Sequence, residues 1–482
     1  MSTLPTTRTA ADPGILARLI DRSRRALDAR RAPEAVLMLE RAVVMPDAPP
    51  EAYGLLAEAL LQTGRSEEAL RAADTALTAQ AEDPALRLLR ARIRREGGDM
   101  RGGMDDAAAA VMSQPSSLEA RTLLAICLSE AGLHDEALLL FHQVLTAQPA
   151  NALAAAMLAM ALMRSNRHDA AEEVYALAES LSGKPRGLVV LRAQNAILGG
   201  EAQCAVVMLE QAVVAAPDSG IWAMLGQAYH RLGLIDEAGH AYAEASALEK
   251  DNAYLRHLAV AVGGLPPEGD RASERYVIEV FDGFAGRFEE SLFSLGYRIP
   301  GVMLRMLEAR HEQTGRGSAK LGDVLDLGCG TGLMGAALHD LLGGRLVGID
   351  LSPRMLEVAG GKGIYTELRC EDVVAALRWD RTTYQIILMA DLLCYFGALE
   401  EVFTAARSCL SPDGILLFSI EAAEPGARWS LTRSGRYQQS EDYMRSALMQ
   451  SGMVLLECRE EILRFESGEP VRGFVVLAAM AH

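Results

Sequence analysis

Val324-Leu-Asp-Leu-Gly-Cys-Gly-Thr-Gly-Leu-Met334 begins as an apolar run, breaks into alternating glycines and resumes as an apolar helix-forming segment. The pattern reads as a strand, a tight turn and a helix N-terminus. Gly328, Gly330 and Gly332 carry no Cβ, so backbone N–H groups there can come within contact distance of a ligand. Residues 343–349 read as the next parallel strand, with Asp350 at its carboxyl end. A carboxylate in that place can take both hydroxyls of a ribose. A cofactor containing a nucleoside is therefore expected.

Glycine spacing narrows the choice. The dinucleotide fingerprint G-x-G-x-x-G needs its third glycine three residues after the second. Counting from Gly328, that position is Leu333, and the third glycine falls at 332. The D-L-G-C-G-T-G-L spelling, followed by Gly348-Ile-Asp-Leu-Ser-Pro-Arg-Met-Leu356, resembles the class I S-adenosylmethionine-dependent methyltransferases. The resemblance implies S-adenosyl-L-methionine as cofactor. It places contacts at Asp326, Gly328, Gly330, Thr331, Gly332, Asp350, Leu351, Met355, Asp391 and the Glu371–Asp372 pair. There the family has a side-chain acceptor for the adenine amino group, with Asp372 at the matching position and Glu371 the near alternative.

At 482 residues the chain has room for two to four domains, and an apolar half with few aromatics points to much helix. A net charge of −17 disfavours a nucleic-acid partner, which needs a basic stripe. Seven scattered cysteines form no C-x-x-C pair and no Cys/His cluster at metal spacing, so no metal site is expected. The segment from Met1 to Pro13 lacks the charged start and apolar core of a signal peptide, and the apolar run 152–163 is too short to span a bilayer. These readings lead to an expected cytoplasmic location without membrane contact.

The first half repeats. Small residues recur at Ala35, Ala69, Gly103, Ala137, Ala171, Ala205 and Ala238, at intervals of 34 residues with a last interval of 33. Turn glycines keep the same register at 64, 98, 132, 200 and 233, and prolines close units at 115, 149 and 217. Closely approaching helices require such small side chains. The period and the residues Trp222, Leu225, Gly226, Tyr229, Ala238, Tyr242 and Ala245 resemble the tetratricopeptide repeat. An all-α superhelical solenoid of about seven repeats is expected over residues 16–262, with a solvating end helix at 253–262. In that family the first helix of each unit lines a concave groove. The carry-over gives Arg92, Arg95, Ile126, Met157, Met160, Met163, Gln194, Ile197 and Gln227 as groove residues; the methionines fit inter-repeat core equally well.

Gly263-Gly-Leu-Pro-Pro-Glu-Gly269 is a cluster of breakers, read as a linker over 263–271. Beyond it, residues 272–482 alternate helix and strand and predict a Rossmann-like α/β domain of seven strands, the last two an antiparallel hairpin turned by Ser467-Gly-Glu-Pro470. Phe281, Phe284 and Phe288 lie on one helical face. Their F-D-x-x-A-x-x-F-x-x-x-L wording resembles the helical lid of small class I methyltransferases, and makes Tyr276 and Phe288 candidates to face an acceptor. Tyr395, in the loop after the fourth strand, joins them. The whole of 16–482 resembles the bacterial predicted tetratricopeptide-repeat methyltransferases, including the insert Ser434-Gly-Arg-Tyr437 and Ser440-Glu-Asp-Tyr443. From that insert Arg436 and Tyr437 are further acceptor candidates.

Methyl transfer needs a general base only when the nucleophile is protonated. Asp391 and Glu421, at strand ends, are the carboxylates available for that role. The expected function is S-adenosylmethionine-dependent methyl transfer, with the repeats recruiting a protein, peptide or small-molecule acceptor. A scaffold whose second domain only senses the cofactor is the alternative.

Overall fold

The computed structural model describes residues 13–182, 186–315, 320–466 and 468–481. The segment read for a signal peptide, through residue 12, and Ser467 of the expected turn lie outside the described residues. The chain forms two compact units, one ending at Ala212 and the other beginning at Val213.

The first unit is built of helix pairs, from Pro13–Asp28 with Ala32–Val43 through to Ala152–Arg164 with His168–Ser182, followed by Arg186–Leu198 and the greater part of Ala202–Ala215. Ala35, Ala69, Ala137, Ala171 and Ala205 are wholly buried. A Cβ added at Gly103 would stand 3.3 Å from the Ala91 carbonyl oxygen, so the 34-residue period of small residues is a period of helix contacts. The chain turns between paired helices at Gly64, Gly98, Gly132 and Gly200, with φ of +77°, +86°, +81° and +88°. Where the register lacks glycine, Arg30 and Asn166 take the same left-handed conformation at +56° and +58°. The arginines crowding the third repeat are paired: Arg90 donates to Asp106 and Asp74, and Arg94 to the same nearly buried Asp106. Of the groove candidates, Arg92 is exposed. Arg95 lies 3.9 Å from Glu130, an acid one repeat further on. Met163 and Ile197 are buried and belong to the core.

The second unit opens with the helix pair Ser219–Arg231 and Ile235–Leu248, then the helix Ala253–Ala261. Among the described residues one sheet follows, holding nine strands: β1 (Val324–Leu327), β2 (Leu346–Asp350), β3 (Glu367–Cys370), β4 (Tyr384–Met389), β5 (Leu410–Ala422), β6 (Trp429–Leu431), β7 (Tyr437–Gln439), β8 (Met453–Glu466) and β9 (Glu469–Met480). The parallel order is β3-β2-β1-β4-β5; β9 runs antiparallel beside β5, and β8 beside β9. These seven are the expected ones. The other two, β6 and β7, form a short ribbon that leads into and enters the 434–443 insert, and β7 pairs with only the last two residues of β5. β1 and β2 are buried at every position, as central parallel strands covered on both faces must be. One face packs against the helix Ile299–Gln313 through Val302, Met303 and Met306, the other against Val374, Phe403 and Met444. Among the described residues, no helix is long and apolar enough to cross a membrane.

The expected linker at 263–271 is not a free spacer. Asp270 accepts hydrogen bonds from the N–H groups of Gly397 and Ala398, and Ala272 donates to the Tyr395 carbonyl at 2.8 Å. The Ala253–Ala261 helix, read as a solvating end, is bound to the α/β domain. His257 Nε2–H donates to the Gly435 carbonyl oxygen at 2.8 Å, and its ring stacks on Tyr276 with centroids 3.8 Å apart. The breakers end a helix, and the chain on both sides of them belongs to the second compact unit.

Burial holds His257 below its ordinary imidazole range, against the opposing pull of the Gly435 bond. A depressed histidine contributes stability above its unfolded value and loses it as pH falls through the folded one. His257→Ala is expected to destabilise the second unit by about 1–3 kcal/mol at pH 8, through the lost hydrogen bond and stacking. That gap should shrink as pH drops below 6.5, the ordinary imidazole value. All three tryptophans, at 222, 379 and 429, lie in this unit, so fluorescence-detected denaturant unfolding measures it.

Candidate functional site

Carboxyl ends of the parallel strands open into one cavity, the place where open α/β sheets bind ligands. Its walls include Asp326 and the glycine turn from β1, Asp350 and Leu351 from β2, Asp372 after β3 and Asp391 after β4.

Gly328, Gly330 and Gly332 all lie in the left-handed region, at φ of +67°, +53° and +87°. A Cβ at Gly328 would come 2.9 Å from Leu392, and one at Gly332 the same distance from Tyr365, so both positions require glycine. Gly330 N–H donates to one oxygen of Asp350, and Ser352 N–H to the other, each at 2.9 Å. Asp350 is thereby aimed by the turn itself, and each oxygen keeps a lone pair for a further donor. Burial raises its carboxyl above the usual range, partly opposed by those N–H groups. Asp326 is almost fully buried and accepts from the Tyr365 hydroxyl at 2.7 Å. Burial pushes its carboxyl up to about 7, the Tyr365 bond opposing and the Asp350 charge adding.

The remaining expected cofactor residues divide. Thr331 is buried in the turn and lines the cavity. Gly332 packs on Tyr365, and Met355 is wholly buried in the helix Pro353–Gly361; both support the wall from behind. Asp372 lines the cavity while capping the helix Val373–Trp379 through Ala375 N–H, and its second oxygen takes Arg271 at 3.1 Å. Glu371 pairs instead with Arg369 at 3.6 Å, outside the cavity wall.

The lid is the helix Glu274–Phe284 and the short helix Phe288–Ser294. Val277, Val280, Phe281 and Phe284 present one face to the cavity. Phe284, Phe288, Phe281 and Tyr395 form an edge-to-face series with centroids 5.6–5.9 Å apart. Phe288 reaches over the glycine turn, 3.7 Å from where a Gly330 Cβ would be. The lid is fastened where Asp282 accepts from Ser352 Oγ at 2.6 Å and Glu289 pairs with Lys362 at 2.5 Å. Two expected acceptor contacts are not in the cavity. Tyr276 points off the lid's cavity face onto His257, and Tyr437 packs edge-on against Trp429. Both tyrosines belong to the apolar packing between helix and insert.

At the far wall an ionic cluster joins Asp391, Glu421, Arg436 and Arg464. Glu421 Oε1 accepts from Arg436 Nε at 2.6 Å and from Arg464 Nη2 at 2.7 Å. Arg436 Nη2 also donates to Asp391 Oδ2 at 2.9 Å and to Cys394 Sγ at 3.0 Å. Arg436 and Asp391 line the cavity; Glu421 lies behind them, 3 % exposed. The two candidate general bases are thus counter-ions to guanidiniums. Arg464, 2 % exposed, also lines the cavity but was absent from the expected site. Its strand bulges between Ile462 and Arg464, which breaks the alternation and leaves the consecutive Leu463 and Arg464 both buried. An arginine set between Leu463 and Phe465 was the only signal in the sequence.

Among models of protein families, a methyltransferase domain matches residues 324–414. Tetratricopeptide-repeat models match residues 20–84 and 55–117, 128–181, and 219–252. No curated protein matches the chain. Solved structures similar to parts of it include a tetratricopeptide repeat protein from Parabacteroides merdae, 18% identical, covering 52% of this chain and 99% of its own, at a TM-score of 0.44. An S-adenosylmethionine-dependent methyltransferase from Clostridium acetobutylicum is 16% identical, covering 36% of this chain and 89% of its own, at 0.28. Magnesium protoporphyrin IX methyltransferase from Synechocystis, solved with bound S-adenosylmethionine, is 18% identical, covering 45% of this chain and all of its own, at 0.34. By the family models, the chain combines tetratricopeptide repeats with a methyltransferase domain.

Asp326 supplies a test of the turn's electrostatics. A carboxyl raised from 3.8 to about 7 keeps its proton when folded while the unfolded chain has lost it. Stability therefore declines as pH rises through that window. Asp326→Asn should melt higher than the parent at pH 8, by about 2 °C or more, with the advantage gone below pH 4. Differential scanning calorimetry across pH measures both.

Proposed function

We propose that the chain is an S-adenosyl-L-methionine-dependent methyltransferase whose repeats recruit the methyl acceptor. The observation that carries the reading is the glycine turn bonded to Asp350 at the mouth of the cavity. A turn that excludes every Cβ at 328 and 332 and holds a carboxylate beside its N–H groups fits a ligand bearing a charged end and a ribose. Gly328, Gly330 and Thr331 would hold the methionine end, Asp350 the ribose and Asp372 the adenine amino group. When bound, this cofactor supplies a methyl group made electrophilic by a sulfonium. The chain's own work is to orient, to exclude water through the Phe281, Phe284 and Phe288 lid, and to hold the acceptor near that methyl.

The repeats act on selection of the acceptor. Every proposed cofactor contact lies after residue 320, whereas the exposed groove candidate Arg92 lies in the first unit. A partner held by a tethered module has an effective concentration in the millimolar range.

Calorimetry on the full chain should give binding of S-adenosylmethionine and of its demethylated product in the micromolar range, roughly −8 kcal/mol, with none for NAD. Asp350→Ala should weaken that binding about tenfold or more by removing a hydrogen-bonded carboxylate. Binding of NAD in place of the sulfonium would reject the reading. Arg92→Glu should leave cofactor affinity unchanged and lower labelled-methyl transfer to a lysate. Transfer that persists unaltered both in this variant and in a chain lacking residues 1–212 would reject recruitment.

A further inference from the structure

The far wall of the cavity indicates what the acceptor carries. Arg464 is 2 % exposed and spends Nε on Glu466 and Nη2 on Glu421 and Glu466. Among the described residues its Nη1 has no hydrogen-bond partner, and Asp391 Oδ1 stands 3.7 Å away. A buried charged donor left without an acceptor is destabilising, and in a cavity wall such a donor marks where a ligand oxygen belongs.

Charge and proton accounting agree with that placement. The cluster sets two guanidiniums, Arg436 and Arg464, against two carboxylates, Asp391 and Glu421; Arg464 and Glu421 are buried and the other two are half-buried. Glu466, 39 % exposed, stands at the rim where solvent screens it. A sulfonium brought against this neutral group adds one positive charge, and an anionic acceptor restores balance. Both carboxylates are engaged by guanidiniums: Asp391 Oδ2 by Arg436, Glu421 Oε1 by both arginines. Either would have to break an ion pair to take a proton from a neutral amine or alcohol. An acceptor that arrives already deprotonated needs no base.

We infer, resting on the methyltransferase reading above, that the acceptor is a carboxylate attached to an apolar, aromatic-sized body, held at its oxygen by Arg464 and Arg436 and methylated to an ester. The carboxylate oxygen forms a bond to the methyl carbon as the carbon–sulfur bond breaks. The electron pair of that bond stays on sulfur, and no proton moves. Phe281, Phe284 and Tyr395 supply the apolar wall for the body of the acceptor.

The full chain, saturated with S-adenosylhomocysteine, is titrated calorimetrically with 4-phenylbutyrate and with its amide. The carboxylate is expected to bind at least about tenfold more tightly, the scale of one charge-assisted hydrogen bond. In Arg464→Lys, which keeps the positive charge beside Glu421 but lacks the free Nη1 fork, the preference should fall to within about threefold while S-adenosylhomocysteine still binds. In parallel, methyl label transferred to a lysate by the parent chain should be released as volatile methanol by mild alkali. Equal binding of acid and amide, binding of neither, or alkali-stable label would overturn the carboxylate assignment. Failure of S-adenosylhomocysteine itself to bind would overturn the methyltransferase reading instead.

Discussion

Two guanidiniums meeting at one oxygen of Glu421 form the contact on which the cavity's far wall depends. Withdrawing an ion from water costs several kcal/mol, so neither arginine could be buried there without an opposing carboxylate and good geometry. The requirement ties four separate pieces of chain together. Asp391 comes from the end of β4, Glu421 from β5, Arg436 from the insert before β7 and Arg464 from the bulged part of β8. Removing any one would leave a buried charge uncompensated, which is why these strand ends converge and stay converged.

Arg436 owes its position to more than its ion pairs. Gly435, its neighbour, lies at φ +82°, and its carbonyl accepts from His257 in the Ala253–Ala261 helix. A Cβ at Gly435 would stand 3.0 Å from the His257 ring, so the insert and that helix meet closely. The same histidine stacks on Tyr276 of the lid helix, whose cavity face carries Phe281 and Phe284. The helix after the last repeat is thus in contact with both the lid and the segment that carries Arg436. This physical path runs wholly within the second unit.

Much of this architecture was legible in the residues, because the responsible rules are local. A 34-residue recurrence of small side chains appears wherever helices touch at their backbones, and Ala35 through Ala205 are buried as the spacing requires. The glycine turn and Asp350 were legible for the same reason: positive φ and close approach leave a mark in residue type. Features set by tertiary register were not. Arg464 is buried by a bulge that no alternation pattern announces, and the ribbon of β6 and β7 is three residues to a strand. Tyr276 and Phe288 looked alike as lid aromatics. The facing of their helices separated them, sending one to His257 and the other over Gly330. The breakers at 263–269 were read as a linker from residue type alone, whereas the hydrogen bonds that Asp270 accepts and Ala272 donates at the 395–398 loop, which hold the chain to the α/β domain, leave no mark in residue type.

Asp391 shows how the wall is held in tension. It lies at φ +57°, a conformation that glycine adopts freely and a side chain adopts at a cost of about 1–2 kcal/mol, less for aspartate than for most. The peptide is fixed there because Asp391 N–H donates to the buried Ser419 hydroxyl at 2.9 Å, while Cys394 Sγ–H donates to its carbonyl. Glycine would relieve the backbone at this position but would leave Arg436 without one of its carboxylates. That aspartate is nevertheless present, turned so that one oxygen meets Arg436 and the other faces the unpaired nitrogen of Arg464, places the demand at the cavity wall and not in the turn. A wall that tolerates backbone strain to balance two arginines, and still leaves one of their donors open, is organised around an oxygen that the chain does not itself supply.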